Sequence, residues 1–183
     1  MNDESVFAPV RIPLFRRFLL ARFVSAFSNR MVGVGIAWQV FDRTNSEFAS
    51  GLVGLVEIIP VFLLGLPAGH LSDVKDRRSI VMATRSMMAI CAAILLWTST
   101  GQKPIEAVFA AVALLAAVRT FQGPAVDNLL PRILEPRLFP RGVAWLTNLW
   151  QFSAIVAPVA AGFLIARFDS AWPVFATELV AAP

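Results

Sequence analysis

Two apolar stretches, Leu52–Ala68 and Ser79–Thr98, are separated only by the ten residues Gly69–Arg78. Each stretch is long enough to cross a bilayer as a helix. A connection this short forces the two helices to lie antiparallel. It also carries Lys75, Arg77 and Arg78, and such a basic cluster marks the cytoplasmic side of a membrane protein. The chain is therefore expected to fold as a series of membrane-spanning hairpins, with every backbone hydrogen bond satisfied inside its own helix.

Composition supports that class. Hydrophobic residues make up 57% of the chain and charged residues 15%, whereas soluble domains hold about 45–50% and about 25%. Mean hydropathy is +0.69. Lys and Arg exceed Asp and Glu by 16 to 12, but the basic residues gather at the ends of apolar segments, as topology requires, and not on one solvated face. Nucleic acid is not an expected partner. The single cysteine, Cys91, lies in an apolar run, and the single histidine, His70, lies in the charged loop. Neither a disulfide framework nor a metal site follows from them, and no cofactor is expected. The N-terminus, Met1-Asn2-Asp3-Glu4, lacks the basic region of a signal peptide, so the first apolar segment reads as a retained helix.

Residues 1–17 read as a cytoplasmic N-terminal segment and 18–183 as a transmembrane bundle. Its helices are expected near Phe18–Phe41, Phe48–Ala68, Ser79–Thr100, Ile105–Phe121 and Val143–Ala166, with a sixth from Trp172 to Pro183. Each of the first five holds roughly the 17–25 residues that span about 30 Å of hydrocarbon. The sixth holds about a dozen and rises only about 18 Å, so it is expected to be incomplete. Nine basic residues fall in the loops on the N-terminal side (Arg11, Arg16, Arg17, Lys75, Arg77, Arg78, Arg132, Arg137, Arg141) and three on the other (Arg43, Lys103, Arg167). That asymmetry places the N-terminus in the cytoplasm, with the bilayer itself the first partner. A short echo links Pro67-Ala68-Gly69-His70-Leu71 to Ala160-Ala161-Gly162-Phe163-Leu164, as inverted three-helix repeats would.

Several ionisable groups interrupt these apolar segments. A charge at the bilayer centre costs about 2.5–3.5 kcal/mol on insertion scales. Arg22 and Arg85 lie near cytoplasmic helix ends, where snorkelling to the interface is the default. Arg30, beside Asn29, and Glu57 lie near the middle of consecutive helices. Two readings are open for Asn29, Arg30 and Glu57: a substrate or proton site in which Arg30 and Glu57 neutralise each other, or a buried pair that only fixes packing. Arg119 also needs a carboxylate, and Asp73 is the expected partner. Catalytic machinery is absent: the chain has no phosphate-binding Gly-x-x-x-x-Gly-Lys-Ser/Thr loop and no Gly-x-Ser-x-Gly elbow.

The loop Gly69-x-Leu71-x-Asp73-x-x-x-Arg77-Arg78 resembles the signature between helices 2 and 3 of the major facilitator superfamily of secondary transporters. Arg119-Thr120-Phe121-Gln122-Gly123 is similar to that superfamily's helix 4 motif, Arg-x-x-Gln-Gly. Ala157-Pro158-Val159-Ala160-Ala161-Gly162 resembles its antiporter signature Gly-Pro-x-x-Gly-Gly, with alanine at two of the glycine positions. A plain packing kink at Pro158 and Gly162 remains the other reading there. Phe121-Gln122-Gly123-Pro124-Ala125 followed by Leu130-Pro131 is similar to the enterobactin-exporter and macrolide-efflux branch, although Asp127 departs from the basic residue expected there.

The resemblance implies an all-α membrane protein: the N-terminal six-helix bundle, a 3+3 inverted repeat, of a major facilitator fold. Gly69, Asp73, Arg77 and Arg78 would form a conformational-switch loop, latched through Arg119, Gln122 and Gly123. The implied activity is export of a small amphipathic molecule, a siderophore or a drug, coupled to protons, with Glu57 as the deep acid. The expected location is the bacterial inner membrane. The alternative is a chain without transport activity of its own, needing the missing C-terminal half or a second copy as partner.

Overall fold

A computed structural model describes the backbone of residues 5–74, 77–101, 103–127 and 130–181, and their side chains except at 72–74, 77, 78, 81, 122–127, 180 and 181. Among the described residues every regular element is helical. A 3-10 turn, Pro9–Arg11, leads into α1 (Pro13–Thr44), followed by α2 (Glu47–Val74), α3 (Arg77–Ser99), α4 (Ile105–Asp127), α5 (Leu130–Ile133), α6 (Phe139–Phe168) and α7 (Trp172–Ala181).

Local chemistry sets the boundaries. Pro13 opens α1, where a missing N–H costs nothing. Asn45 closes it in the left-handed region at φ 48°, with its N–H on the Phe41 carbonyl at 2.8 Å. Asp169 closes α6 the same way at φ 49°; Asn and Asp tolerate this conformation through short polar side chains. Only Asn45 and Ser46 separate α1 from α2, so those helices must run antiparallel.

Several boundaries differ from the sequence expectation: α1 runs from Pro13 to Thr44 rather than from Phe18 to Phe41, and α6 begins at Phe139 rather than Val143. Gly69 to Val74, expected in a loop, continue α2, and α3 begins already at Arg77. Polar residues beyond an apolar span do not end a helix, and nothing lies within 4 Å of a Cβ added at Gly69. Similarly, α4 runs on through Gly123 and Pro124 to Asp127 rather than stopping at Phe121. A proline near a helix end removes one hydrogen bond without stopping the helix. The four-residue α5 was not expected.

Three helical segments among the described residues are long and apolar enough to cross a membrane: Glu47–Leu71, Met82–Ser99 and Phe139–Phe168. The 32-residue α1 is longer still, about 48 Å, but Asn29, Arg30 and Gln39 interrupt its middle. The outward face of α2 exposes Leu55, Ile58, Ile59, Phe62, Leu63 and Leu66, with Phe62 at 82% and Leu66 at 88%. In water such a patch would be a liability. In lipid it is the solvated face.

The helices pair in a regular scheme. The extensive contacts are α2 with α4, α1 with α6, α3 with α4, α3 with α7 and α1 with α7. Exchanging α1 with α4, α2 with α6 and α3 with α7 maps each of these onto another of the set: α1–α6 onto α4–α2, α3–α4 onto α7–α1, and α3–α7 onto itself. The α1–α2 contact has no counterpart of similar extent.

The central core joins Val32, Ile36 and Val40 of α1 to Leu95, Val112, Leu115 and Phe175. A second cluster joins Met31 to Ala157, Ala161, Ile165 and Val174. A third, at the start of α1, packs Phe15 on Leu130 and Leu134 and so explains α5. At the opposite end Arg43 reaches the carbonyls of Thr98, Gly101 and Lys103, neutralising the negative end of α3.

Close packing of α1 on α7 depends on Gly35, where an added Cβ would lie 3.1 Å from both Phe175 and Val174. Gly35→Val should destabilise the protein by about 1–3 kcal/mol through overpacking, read as a lower unfolding midpoint in detergent. Gly65→Ala, with nothing within 4 Å, should leave that midpoint unchanged or raised. Equal effects of the two substitutions would contradict this packing.

Candidate functional site

A cavity of about 660 Å³ opens between α1, α2, α3, α4 and α6. It follows α1 from Arg22 to Ala37, about 22 Å of helix. Into it come Arg22, Asn29 and Arg30 from α1, Glu57 from α2, Arg85 from α3 and Arg119 from α4. Trp150 and Pro158 of α6 form part of the far wall. The residues share one wall because Arg22, Asn29, Gly33 and Ala37 follow helical spacing along α1.

Asn29, Arg30 and Glu57 thus line one cavity, but the expected pairing of Arg30 with Glu57 is not what the structure contains. The Arg30 guanidinium stacks 4.4 Å from the centre of the Trp150 ring. Glu57 instead faces Arg119, Oε1 to Nη1 at 3.7 Å. The reason is rotational. Arg30 sits on the side of α1 that faces α6, which packs extensively against α1, while α4 lies against α2 and brings its own arginine to the carboxylate.

Arg119 was expected to meet Asp73. The Asp73 side chain lies outside the described residues; among those described, Glu57 is the ion-pair partner of Arg119. A further acid acts on it: the carboxylate of Glu178 on α7, with that of Glu57, reaches Arg119 electrostatically. Glu178 is only 4% exposed and accepts a hydrogen bond from the Ser28 hydroxyl. Even so, Nε and Nη2 of Arg119 and Oδ1 of Asn29 are buried without a hydrogen-bond partner.

The remaining expected site residues are distributed as follows. Gly69 lies within α2 and His70 beside it is exposed. The side chains of Arg77, Arg78 and Gln122, and any contact at Gly123, lie outside the described residues; their backbone is helical. Pro158 lines the cavity, while Gly162, one turn on, is exposed with nothing within 4 Å of an added Cβ. Helix α6 continues through both.

Sequence reasoning passed over Glu178, Ser28 and Trp150. Glu178 had a usable signal, an acid within an apolar run. It lies in the sixth segment, which is too short to read as a complete span. Trp150 carried no signal that distinguished it from a lipid-facing aromatic.

The apolar helices thus turn their polar groups toward a partly open cavity between them. Among known families, residues 4–182 match the one described as transmembrane secretion effector. The chain belongs to that family, within the major facilitator superfamily. It is also similar to the staphyloferrin A transporter of Staphylococcus aureus (strain NCTC 8325 / PS 47), 22% identical over 155 residues, which cover 84% of this chain and 39% of the relative. The chain therefore spans about two fifths of the length of that curated relative. No solved structure matches. Its family and its long apolar helices make it a membrane-embedded protein.

The Glu57–Arg119 pair predicts a non-additive mutant cycle. Arg119→Gln should destabilise by about 1–2 kcal/mol, between the values for exposed and buried pairs because both side chains keep some exposure. Glu57→Gln/Arg119→Gln should recover part of that loss, measured as thermal midpoints in detergent. Strict additivity would show that the two groups do not interact.

Proposed function

We propose that this chain forms one wall of the route through which a small amphipathic molecule, a siderophore or a drug, is exported across a bacterial inner membrane in exchange for protons. The single observation that carries the reading is the cavity itself. Charged and polar side chains from four helices converge there in a chain otherwise built to face lipid. Charges at that depth are costly and mark substrate or ion pathways. Membership of a secretion family and the likeness to a siderophore transporter support the direction and kind of cargo. The protein would be multi-pass, with its N-terminus cytoplasmic, as the loop charges imply. It acts without catalysing a covalent change.

The contact scheme supports a 3+3 inverted repeat, with α1–α2–α3 related to α4–α6–α7. In such a repeat one half rocks against another around a midplane site. Gly69, Asp73, Arg77 and Arg78, with Arg119, Gln122 and Gly123, would hold the cytoplasmic side during that motion. Pro158 and Gly162 would give α6 its compliance. In the proposed cycle Glu57 takes up a proton and releases Arg119, then loses the proton and draws Arg119 back.

Glu57→Gln in the full-length protein should abolish transport driven by a proton gradient in inverted membrane vesicles while leaving substrate binding intact. Undiminished proton-driven transport by that variant would remove Glu57 from the mechanism.

A second reading is favoured by the open side of the cavity and the exposed apolar faces of α2 and α6. The 183-residue chain would then need a complementary half, or a second copy, to enclose the route. Reconstituted alone it should give no substrate flux above empty vesicles. Robust flux would point instead to a working homodimer.

A further inference from the structure

We propose that a second cavity, at the end of the bundle where α1, α3 and α6 finish, binds a small organic cation that carries N–H donors, a primary ammonium or a guanidinium. Its volume is about 620 Å³, within the range of small-molecule sites. It is separate from the cavity that holds Arg30 and Glu57. Ala37 lines that one, whereas Trp38 and Gln39 line this one. Each residue turns a helix by about 100°, so the two cavities open on different sides of α1. The site thus lies outside the proposed transport route.

The cavity holds acceptors that have no donor. Gln39 is only 2% exposed and donates from Nε2 to the Thr98 hydroxyl at 3.3 Å. That hydroxyl spends its one hydrogen on the Leu95 carbonyl at 2.8 Å, so toward Gln39 it can only accept. The orientation of the amide is therefore fixed, and Oε1 is left buried without a hydrogen-bond partner. Such an acceptor costs stability until a donor reaches it. Asp42 of α1 and Asp169 of the α6–α7 turn line the same cavity. Neither carboxylate has an ion pair or a side-chain hydrogen bond among the described residues. The basic groups beside them are already engaged. Arg43 gives its guanidinium to the carbonyls of Thr98, Gly101 and Lys103, and the Lys103 ammonium lies 4.5 Å from the centre of the Trp97 ring. A protonated amine brings three N–H donors on one charge, and the half-buried Trp38 offers an aromatic wall beside it. A metal ion fits less well. Calcium takes six to eight oxygen ligands, and among the described residues no group of three or more His, Cys, Asp or Glu could hold a metal.

Four probes should be titrated calorimetrically into the 183-residue protein in phosphatidylcholine nanodiscs: putrescine, its fully N-methylated dication, glucose and calcium. The methylated dication keeps both charges of putrescine and has no N–H, while glucose offers donors without charge. We expect saturable putrescine binding, weakened about tenfold by Asp42→Asn and by Asp169→Asn. Gln39→Met keeps the length of the side chain and removes the acceptor, so it should weaken putrescine roughly fivefold. The methylated dication should bind far more weakly than putrescine to the unmutated protein. Should Gln39→Met fail to fold, the two aspartate variants and the methylated dication decide. Equal affinity for putrescine and the methylated dication would mean that charge alone is read, and would overturn the proposal. Putrescine binding indifferent to both aspartate variants would overturn it too, by placing the amine elsewhere. Glucose or calcium binding in place of putrescine overturns the ligand class, and binding of none of the four overturns the site.

Discussion

Four guanidinium groups within an apolar helical chain are the constraint on which the rest of the arrangement depends. Arginine stays charged at any accessible pH, so it cannot escape the cost of depth by losing a proton, as a carboxylate can. Each one must find a carboxylate, an aromatic face, a polar cavity or the membrane surface. The structure uses the first three: Arg119 has Glu57 and Glu178, Arg30 has the Trp150 ring, and Arg22 and Arg85 open on the cavity. The helices are rotated so that these needs are met on the inside. Their other faces can then be uniformly apolar, as Phe62 and Leu66 of α2 are.

That uniformity determines what was legible in the sequence. The long helices could be read because a span must hold about twenty apolar residues in a row, and the charged break at Gly69–Arg78 separates two of them cleanly. Their ends could not, because polar residues outside the bilayer are free to extend a helix, as Gly69–Val74 and Gly123–Asp127 do. The four-residue α5 exists through Phe15, which lies more than a hundred residues away and packs on Leu130 and Leu134. No local pattern announces it.

The site divides along the same line. Asn29, Arg30 and Glu57 could be picked out one by one, since each violates the apolar pattern around it. Their partners could not. In a soluble helix the apolar stripe fixes which face turns inward. In a lipid-facing helix nearly every face is apolar, so rotation about the axis is set only by contacts with other helices. Arg30 therefore met Trp150, on a helix beginning more than a hundred residues later, and Glu57 met Arg119. The rule that a buried charge must be matched was sound. Identifying its match required the packing of α1 on α6 and of α2 on α4.

Stability does not account for the polar cavity. An ion pair at 3.7 Å between partly exposed groups contributes about 1 kcal/mol at most, whereas a single guanidinium at mid-depth costs about 2.5–3.5 kcal/mol on insertion scales. Replacing both members of such a pair with packed apolar residues is commonly neutral or stabilising. The unpartnered nitrogens on Arg119 add to the cost without adding a compensating contact inside the chain. The core clusters around Ile36 and Phe175 hold the helices together without any help from these groups. In the proposed transport reading, what the charges supply is a set of donors held in place before a ligand arrives. Such preorganisation is worth its cost only when something passes through to use it.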